Sequence, residues 1–598
     1  MAGSTDTNRI ALVSMPWAIF SRPSIQVGAL KAYTEAHSGF LVEGFHPYLQ
    51  LAKTIGIENY HAIAADGWAG EAIFSSLLFP EQNREAEKLY RKGTGKQNLP
   101  DFLTLVEQTR SVCSSWLQSI NWDNYMAVGF TLCFYQLLPS LYMAAQLKQR
   151  HPSVPVIFGG SSCGGELGRS LVSCFPQINY IVDGEGEIPF LQLLHHLQDN
   201  TKPFPERVLS TVMATEISPS PEVSDLSSLP TPDYSPYFRE TKHLFPDMPF
   251  IPEIPLEFSR GCWWHKCTFC NLNLQWKKYR WKNAETMLLD LKNLATSHQC
   301  LDFCFTDNAL PPNEADILFK SLENAPVDLR FFAEIRGNTD SSTLQNYARA
   351  GLAVIQVGIE SFSSSLLTSM KKGVTVIENI AVMKHAAQAG IELEGNLIVE
   401  FPGSTEEQVK QTLETLKYVV PFKPLAIATF FLGHGSPIHR CPKEYGISGL
   451  VPHHKNKALI PQELLTNLHL LAGEYRGDRT HQRKLWKEVR NRVDQWHSFH
   501  NNRRANSTPP LAYRDGGTFL IIRQEQPDGP VLRHRLTGTS REIYLFLKEI
   551  RTFDEVCDRF KTFKPEALQT YINQLCRKKL LYRENEKIIS LALHDTCG

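Results

Sequence analysis

Residues 254–270 read IPLEFSRGCWWHKCTFC, a short apolar strand running straight into three cysteines spaced C-x4-C-x2-C. Trp263 and Trp264 follow the first cysteine, and His265 lies next. Four roles are open to such a thiol triplet. A disulfide is disfavoured in a reducing compartment. A redox pair built on Cys267 and Cys270 would open a helix in a thioredoxin-like unit, a context this stretch lacks. Structural zinc takes four ligands, usually from paired knuckles; here one CxxC is present, with His265 as the candidate fourth ligand. An iron–sulfur cluster is normally held by four cysteines, and three would leave one iron open.

Reading outward, IPLEFSR is the first of six similar strands. LDFCFTDN (301–308), LRFFAEIRG (329–337), LAVIQVGIES (352–361), IELEGNLIVEFPG (391–403) and PLAIATFFLG (424–433) follow. Most are succeeded by amphipathic stretches such as SSTLQNYARAG (341–351) or VIENIAVMKHAAQAG (376–390). Six βα repeats over 253–445 predict a partial (β/α)6 barrel, two strands short of a full one. The cysteines then fall in the loop after its first strand, on the face where barrels keep their chemistry.

Upstream, RIALVSMPW (9–17), GFLVEGFHPYL (39–49), YMAVGFTLCF (125–134), VPVIFGG (154–160) and INYIVDGEGE (178–187) alternate with helical patterns. This predicts a Rossmann-like domain over 8–200 with a helical insert at about 60–120. Ligands bind such sheets at the carboxyl ends of the strands, which here carry Gly159, Gly160, Gly184 and Gly186. The first strand is not followed by G-x-G-x-x-G, which weakens a dinucleotide site.

Residues 201–252, rich in Pro and Ser, read as a surface linker. Residues 446–515 read as a helical segment. Residues 516–598 read as a winged-helix-like unit, with helices in REIYLFLKEI, FDEVCDRF and PEALQTYINQLCRKKLL between strands. The whole is an α/β chain of 598 residues.

Lys plus Arg and Asp plus Glu number 62 each, so no net charge draws the chain to nucleic acid or a membrane. The amino terminus lacks the apolar core of a signal peptide, and no apolar run reaches the length of a span. A cytoplasmic protein is expected. Cys113, Cys133, Cys163, Cys174, Cys300, Cys304, Cys557 and Cys576 sit in apolar or amphipathic contexts, where free cysteine acts as a small hydrophobe.

The motifs together resemble a known family. SRGCWW (259–264), CTFCNLN (267–273), FTDNALP (305–311), IQVGIESF (355–362), MKKGVT (370–375), NLIVEFPG (396–403) and LPTPDYSPYF (229–238) carry the likeness over about residues 9–445. The chain resembles the cobalamin-dependent radical S-adenosylmethionine (SAM) enzymes that mature ribosomally made peptides, peptide C-methyltransferases among them. Its cysteine loop is shorter than that family's usual C-x7-C-x2-C, and His265 follows Trp264 where the family carries Gly.

The resemblance implies that Cys262, Cys267 and Cys270 hold a [4Fe-4S] cluster whose open iron receives SAM. It implies SAM contacts from Phe269, Glu334, Arg336, Gly358, Glu360, Ser361 and Asn396, with Asp307 and Asn308 facing the cluster. Cobalamin would lie against Pro16, Trp17, Phe20, Thr131, Gly159, Gly160, Gly184, Glu185 and Gly186. The loop SMPWAIFSRPS (14–24) contains no histidine, so the lower face of cobalt is expected to lack a histidine ligand and to be covered by Trp17 or Phe20. His46 reads as a surface or packing histidine, and the tryptophans serve either shielding or packing. Ser436-Pro437 matches a family motif without an assigned role. No catalytic residue is assigned.

The implied reaction is methylation of an unactivated carbon of a precursor peptide, through a 5′-deoxyadenosyl radical and methylcobalamin. A non-methylating rearrangement or cyclisation is one alternative; a zinc-stabilised binding protein without catalysis is another. The implied partners are the precursor peptide, its leader bound by the carboxyl-terminal unit, and an electron donor such as flavodoxin or ferredoxin. Neither nucleic acid nor membrane is expected.

Overall fold

Strand β1 (Arg9–Ser14) is buried at five of its six residues, so it needs cover on both faces. The computed structural model describes residues 8–95, 99–211, 222–274, 276–503 and 508–595. In it β1 lies inside a sheet with β2 (Leu41–Phe45), β3 (Ala127–Thr131), β4 (Val156–Gly159), β5 (Tyr180–Val182) and β6 (Val208–Ser210). The spatial order is β2-β1-β3-β4-β5-β6. The first five strands are parallel, and β6 closes the edge antiparallel to β5. The order reverses between β1 and β3. At such a switch point the loops leaving neighbouring strands part and open a crevice.

Between β2 and β3 the insert forms helices Ile57–Asp66, Trp68–Leu78, Asn83–Thr94 and Phe102–Gln118. Helix Trp68–Leu78 is buried from Ala69 to Leu77, Glu71 included. Glu71 Oε2 accepts from the Leu138 N–H at 3.2 Å, while Oε1 has no partner. Burial pushes this carboxyl up to about 8, against the pull of the Leu138 and Leu137 N–H groups. An unfolded Glu titrates near 4.3, so over the interval the folded chain holds the extra proton. The resulting stability is complete below the unfolded value and is lost as pH rises through about 8. The denaturant midpoint is expected to fall between about pH 5 and about pH 9, and Glu71→Gln to flatten that fall.

The stretch 201–252 is more than a linker, since it holds β6 and helix Ser235–Leu244. Residues 212–221 lie outside the described residues. A three-residue strand is too short to show a period of two, and its pairing with β5 comes from elsewhere in the chain.

The second unit opens with β7 (Ile254–Leu256) and a two-residue ladder of β8 (Ser259–Arg260) with β9 (Arg280–Trp281). Then come β10 (Asp302–Phe305), β11 (Arg330–Ile335), β12 (Leu352–Glu360), β13 (Glu392–Val399) and β14 (Ala426–Thr429). They form an open parallel sheet in the order β14-β13-β12-β11-β10-β7. Alternation explains its two faces. Along β12, Ile355, Val357 and Ile359 are buried in the barrel core, while Gln356, Gly358 and Glu360 are only partly covered.

The region expected to be helical, 446–515, carries helix Lys487–Asn502 but also strands. β15 (Leu432–Gly433), β16 (Gly449–Pro452) and β17 (Ala472–Arg476) make an antiparallel sheet in the order β15-β17-β16. Their partners lie tens of residues apart, beyond the reach of local pattern.

The last unit pairs β18 (Leu511–Asp515), β19 (Phe519–Gln526) and β20 (Gly529–Thr537) as an antiparallel meander. Helices Thr539–Phe546, Phe553–Arg559 and Pro565–Arg577 follow, with β21 (Arg551–Thr552) and the hairpin β22 (Leu581–Glu584)–β23 (Lys587–Ser590) completing a winged helix. β24 (Leu593–His594) returns beside β18. The hairpin docks on the second unit. Glu584 Oε2 accepts from the Ile377 N–H at 2.7 Å, and one apolar core runs through both. No helix among the described residues is long and apolar enough to cross a membrane.

Candidate functional site

The ladder of β8 with β9 pinches the base of the loop that carries the cysteines. Gly261 permits the turn, with φ +87° and the Lys278 carbonyl 3.2 Å from where a Cβ would stand. The loop is then tied at three points. The Thr268 N–H donates to Met370 O at 3.0 Å, and Thr268 O accepts from the Ile438 N–H at 3.0 Å. Trp264 Nε1 donates to Lys371 O at 2.8 Å. Two motifs without a role in the sequence thereby gain one. MKKGVT receives the cysteine loop, and Ser436 caps the short helix that presents Ile438.

Trp264 lies directly over Gly373, where a Cβ would come within 1.9 Å of the ring at φ +71°. Gly373→Ala is expected to cost about 2–4 kcal/mol, from overpacking plus the left-handed backbone. The check is a denaturant melt alongside iron content, which falls as the loop is displaced.

Arg336 stacks against both tryptophans, 4.8 Å from each ring centre, and donates through Nη2 to Lys372 O at 2.6 Å. Lys372 Nζ bonds Glu360 Oε1 at 3.0 Å. Burial raises the thiol of Cys267, and Lys372 and Arg336 stand close enough to oppose it. Burial carries Cys270 to about 11. These thiols therefore stay protonated until a metal displaces the protons.

The sulfurs are not placed for a single ion. A tetrahedral zinc with arms of about 2.3 Å draws its ligands to within about 4 Å of one another. Among the described residues, Cys262, Cys267, Cys270 and His265 do not form a group converging within 4.8 Å. His265 is exposed at φ 34°. Lys372 and Arg336 stand beside Cys267, cations that suit a thiolate ligand.

The residues expected around SAM divide. Glu334, Gly358 and Glu360 share the inner face of β11 and β12. Burial and the neighbouring Glu360 push Glu334 up to about 7. A Cβ on Gly358 would meet Lys372 Nζ at 2.3 Å, so the lysine head lies close against the strand there. Phe269 is half-buried against the barrel core, and Asn396 is exposed on β13. Ser361 turns away: it is 2 % exposed, its Oγ accepts from the Ser363 N–H, and its carbonyl accepts from Asn379. Asp307 also turns away, bound to the Phe258 N–H and the Ser259 hydroxyl.

A cavity of about 380 Å³ opens between the carboxyl ends of the two large sheets. From the first unit it is lined by Thr131, Gly159, Gly160, Gly184, Glu185 and Gly186, and from the second by Ser259, Gly261, Asn271 and Asn308. The Thr131 hydroxyl is buried without a partner. Pro16, Trp17 and Phe20, expected here, are not in its lining. Trp17 packs 4.9 Å from Tyr60, and Phe20 packs 4.9 Å from Phe250. These apolar rings gain more from the insert's core than from a cavity wall. His46 is buried between Tyr48 and Tyr237 beside Glu240, as a packing histidine.

Glu185 lines the cavity, yet its carboxylate is held by Arg280 and by Arg260 Nη1 at 3.2 Å. Arg260 also meets Glu187 at 2.5 Å and Glu257 at 2.8 Å. Burial by itself would raise Glu187; Arg260 outweighs it and holds the carboxyl below its ordinary value. DGEGE and SRGC thus form a buried ionic lock between the two units. Sequence reading missed Arg260, Arg280, Lys372 and Asn379; the first three stood within or near quoted motifs, but their partners are up to 95 residues away.

Residues 256–416 match the family model of the radical SAM superfamily. The chain is 26% identical over 320 residues to an uncharacterized methyltransferase of Pyrococcus horikoshii, covering 51% of this chain and 67% of the relative. It is 22% identical over 319 residues to the anaerobic magnesium-protoporphyrin IX monomethyl ester cyclase of Synechocystis sp., covering 50% and 60%. Half of this chain thus matches about two thirds or less of each relative's length. Its fold is similar to that of the cobalamin-dependent SAM radical enzyme OxsB, solved with aqua-cobalamin and SAM (TM-score 0.58, 14% identity, 83% of this chain and 68% of that one). It is also similar to the radical SAM methyltransferase TsrM of Kitasatospora setae, solved with cobalamin and a [4Fe-4S] cluster (TM-score 0.55, 15% identity, 82% and 91%).

Proposed function

We propose that this chain is a cobalamin-dependent radical SAM methyltransferase that methylates an unactivated carbon of a ribosomally synthesised precursor peptide. One observation carries the reading: a single cavity is lined both by the glycine-rich strand ends of the first unit and by residues flanking the cysteines. Two cofactors seated there would face one shared space. Bound together, a four-iron cluster, SAM and cobalamin supply one-electron chemistry and a transferable methyl group.

Cys262, Cys267 and Cys270 would hold the iron, while Arg336 and Lys372 offset the negative charge that thiolates bring. The cations suit the carboxylate of SAM, and Glu334 with Glu360 suits its ammonium. Gly159, Gly160, Gly184 and Gly186 let backbone approach a corrin edge, and the unpartnered Thr131 hydroxyl offers it a hydrogen bond. No histidine lines the cavity among the described residues, so a corrin held there would meet no imidazole in this wall. The absorption spectrum of bound cofactor, histidine-on or not, tests that point. Trp263 and Trp264 flank Arg336 and so help to fix it beside the cysteines.

β20 is the open edge of the sheet β20-β19-β18-β24 and would receive a leader segment by strand addition. A cyclase-like outcome without methylation is the second reading, favoured by the likeness to the Synechocystis cyclase.

The deciding experiment is anaerobic reconstitution followed by turnover with methyl-labelled SAM and short peptides encoded beside the gene. Four irons, one corrin and label in the peptide are expected. Peptide altered without label selects the second reading; a chain that refuses iron and corrin overturns both.

A further inference from the structure

Away from the cysteines, three segments distant in sequence bring imidazoles and a carboxylate together. Glu166 opens helix Glu166–Cys174 in the first unit. His434 follows β15, and His469 precedes β17. One ligand atom from each lies within 4.8 Å of the other two. His434 Nε2 stands 3.5 Å from Glu166 Oε2, and its ring centre is 5.8 Å from that of His469. A fourth donor, His439, has its ring centre 4.6 Å from His434.

The backbone holds this set in place before any ligand arrives. The His434 N–H donates to Leu471 O at 2.9 Å, two residues beyond His469. The His469 N–H donates to Ser170 Oγ at 3.0 Å, one helical turn beyond Glu166. Each ligand-bearing segment is thus hydrogen-bonded to the next.

From this convergence we infer that Glu166, His434 and His469 form a binding site for one divalent late first-row cation, with Zn²⁺ as its probe. Two imidazoles and a carboxylate are a ligand set such cations accept, and three protein ligands leave a fourth position for water or His439.

The site is independent of the methyltransferase reading. Its effect would be mechanical: it clips the first unit to the segment whose Ile438 N–H holds the cysteine loop.

The test uses the full chain with its cluster reconstituted, so that iron occupies the thiols. Zn²⁺ is titrated against a chromophoric chelator, and the zinc X-ray absorption edge reports the ligand atoms. One Zn²⁺ per chain is expected, in a nitrogen and oxygen shell. Glu166→Gln, His434→Gln and His469→Gln are each expected to weaken binding at least about tenfold with iron content unchanged. Absence of zinc binding, sulfur in the shell, or three variants that bind like the parent would overturn the site. Glu166 and His469 are exposed, so their variants keep the test open even if His434→Gln fails to fold.

Discussion

Cys267→Ala is expected to abolish SAM cleavage and methyl transfer while leaving the fold in place. Changing a mere partner of a metal ligand costs about 10–100-fold in affinity or activity. Removal of a ligand itself should therefore exceed about 100-fold. The fold should survive because other groups anchor the loop: the Thr268 amide and carbonyl, and the Trp264 indole on Lys371. The measurements are iron per chain and 5′-deoxyadenosine released from SAM, with a thermal melt as control. Cys262→Ala and Cys270→Ala should behave alike. A Cys267→Ala chain with full iron and undiminished cleavage would remove the basis for the cluster assignment.

Arg260→Ala acts on stability instead. It leaves Glu187, Glu257 and Glu185 around a vacated charge, with Glu185 and Glu187 both buried. Breaking a buried pair from one side costs about 3–5 kcal/mol. The pH dependence should reverse sign at Glu187. In the parent its folded pKa is depressed by Arg260, so its contribution is present above the unfolded value and is lost on acidification. Without Arg260, burial raises that pKa, and the variant loses stability as pH rises instead. Denaturant midpoints of parent and variant should therefore lie closer at about pH 5 than at about pH 8. A constant gap across that range would show that Arg260 acts by packing alone.

Much of the architecture could be read from the chain because its signals are local. Most strands of the two large sheets are short apolar runs followed by amphipathic ones, the pattern of a parallel sheet with helices packed against it. The cysteine spacing is equally local. Where the reading differed from the structure, the deciding partner was remote. Trp17 and Phe20 follow β1, yet both pack on Tyr60 of the insert, and Phe20 also on Phe250, within one apolar core. Ser361 turned inward because Asn379, on helix Val376–Ala389, holds its carbonyl.

The order of residues along the chain determined most strands of the two large sheets, where the thiols sit, and that glycines follow β4 and β5 of the first unit. Periodicity, turn chemistry and ligand spacing are properties of neighbours, and they survive without a fold. Tertiary structure alone decided that DGEGE is locked by Arg260, that Lys372 and Arg336 stand over the thiols, and that Glu166 meets His434 and His469. The first two outcomes depend on which charges are desolvated together, and the third on which segments pack side by side. Desolvation is set by packing between units, for which no sequence distance is a guide.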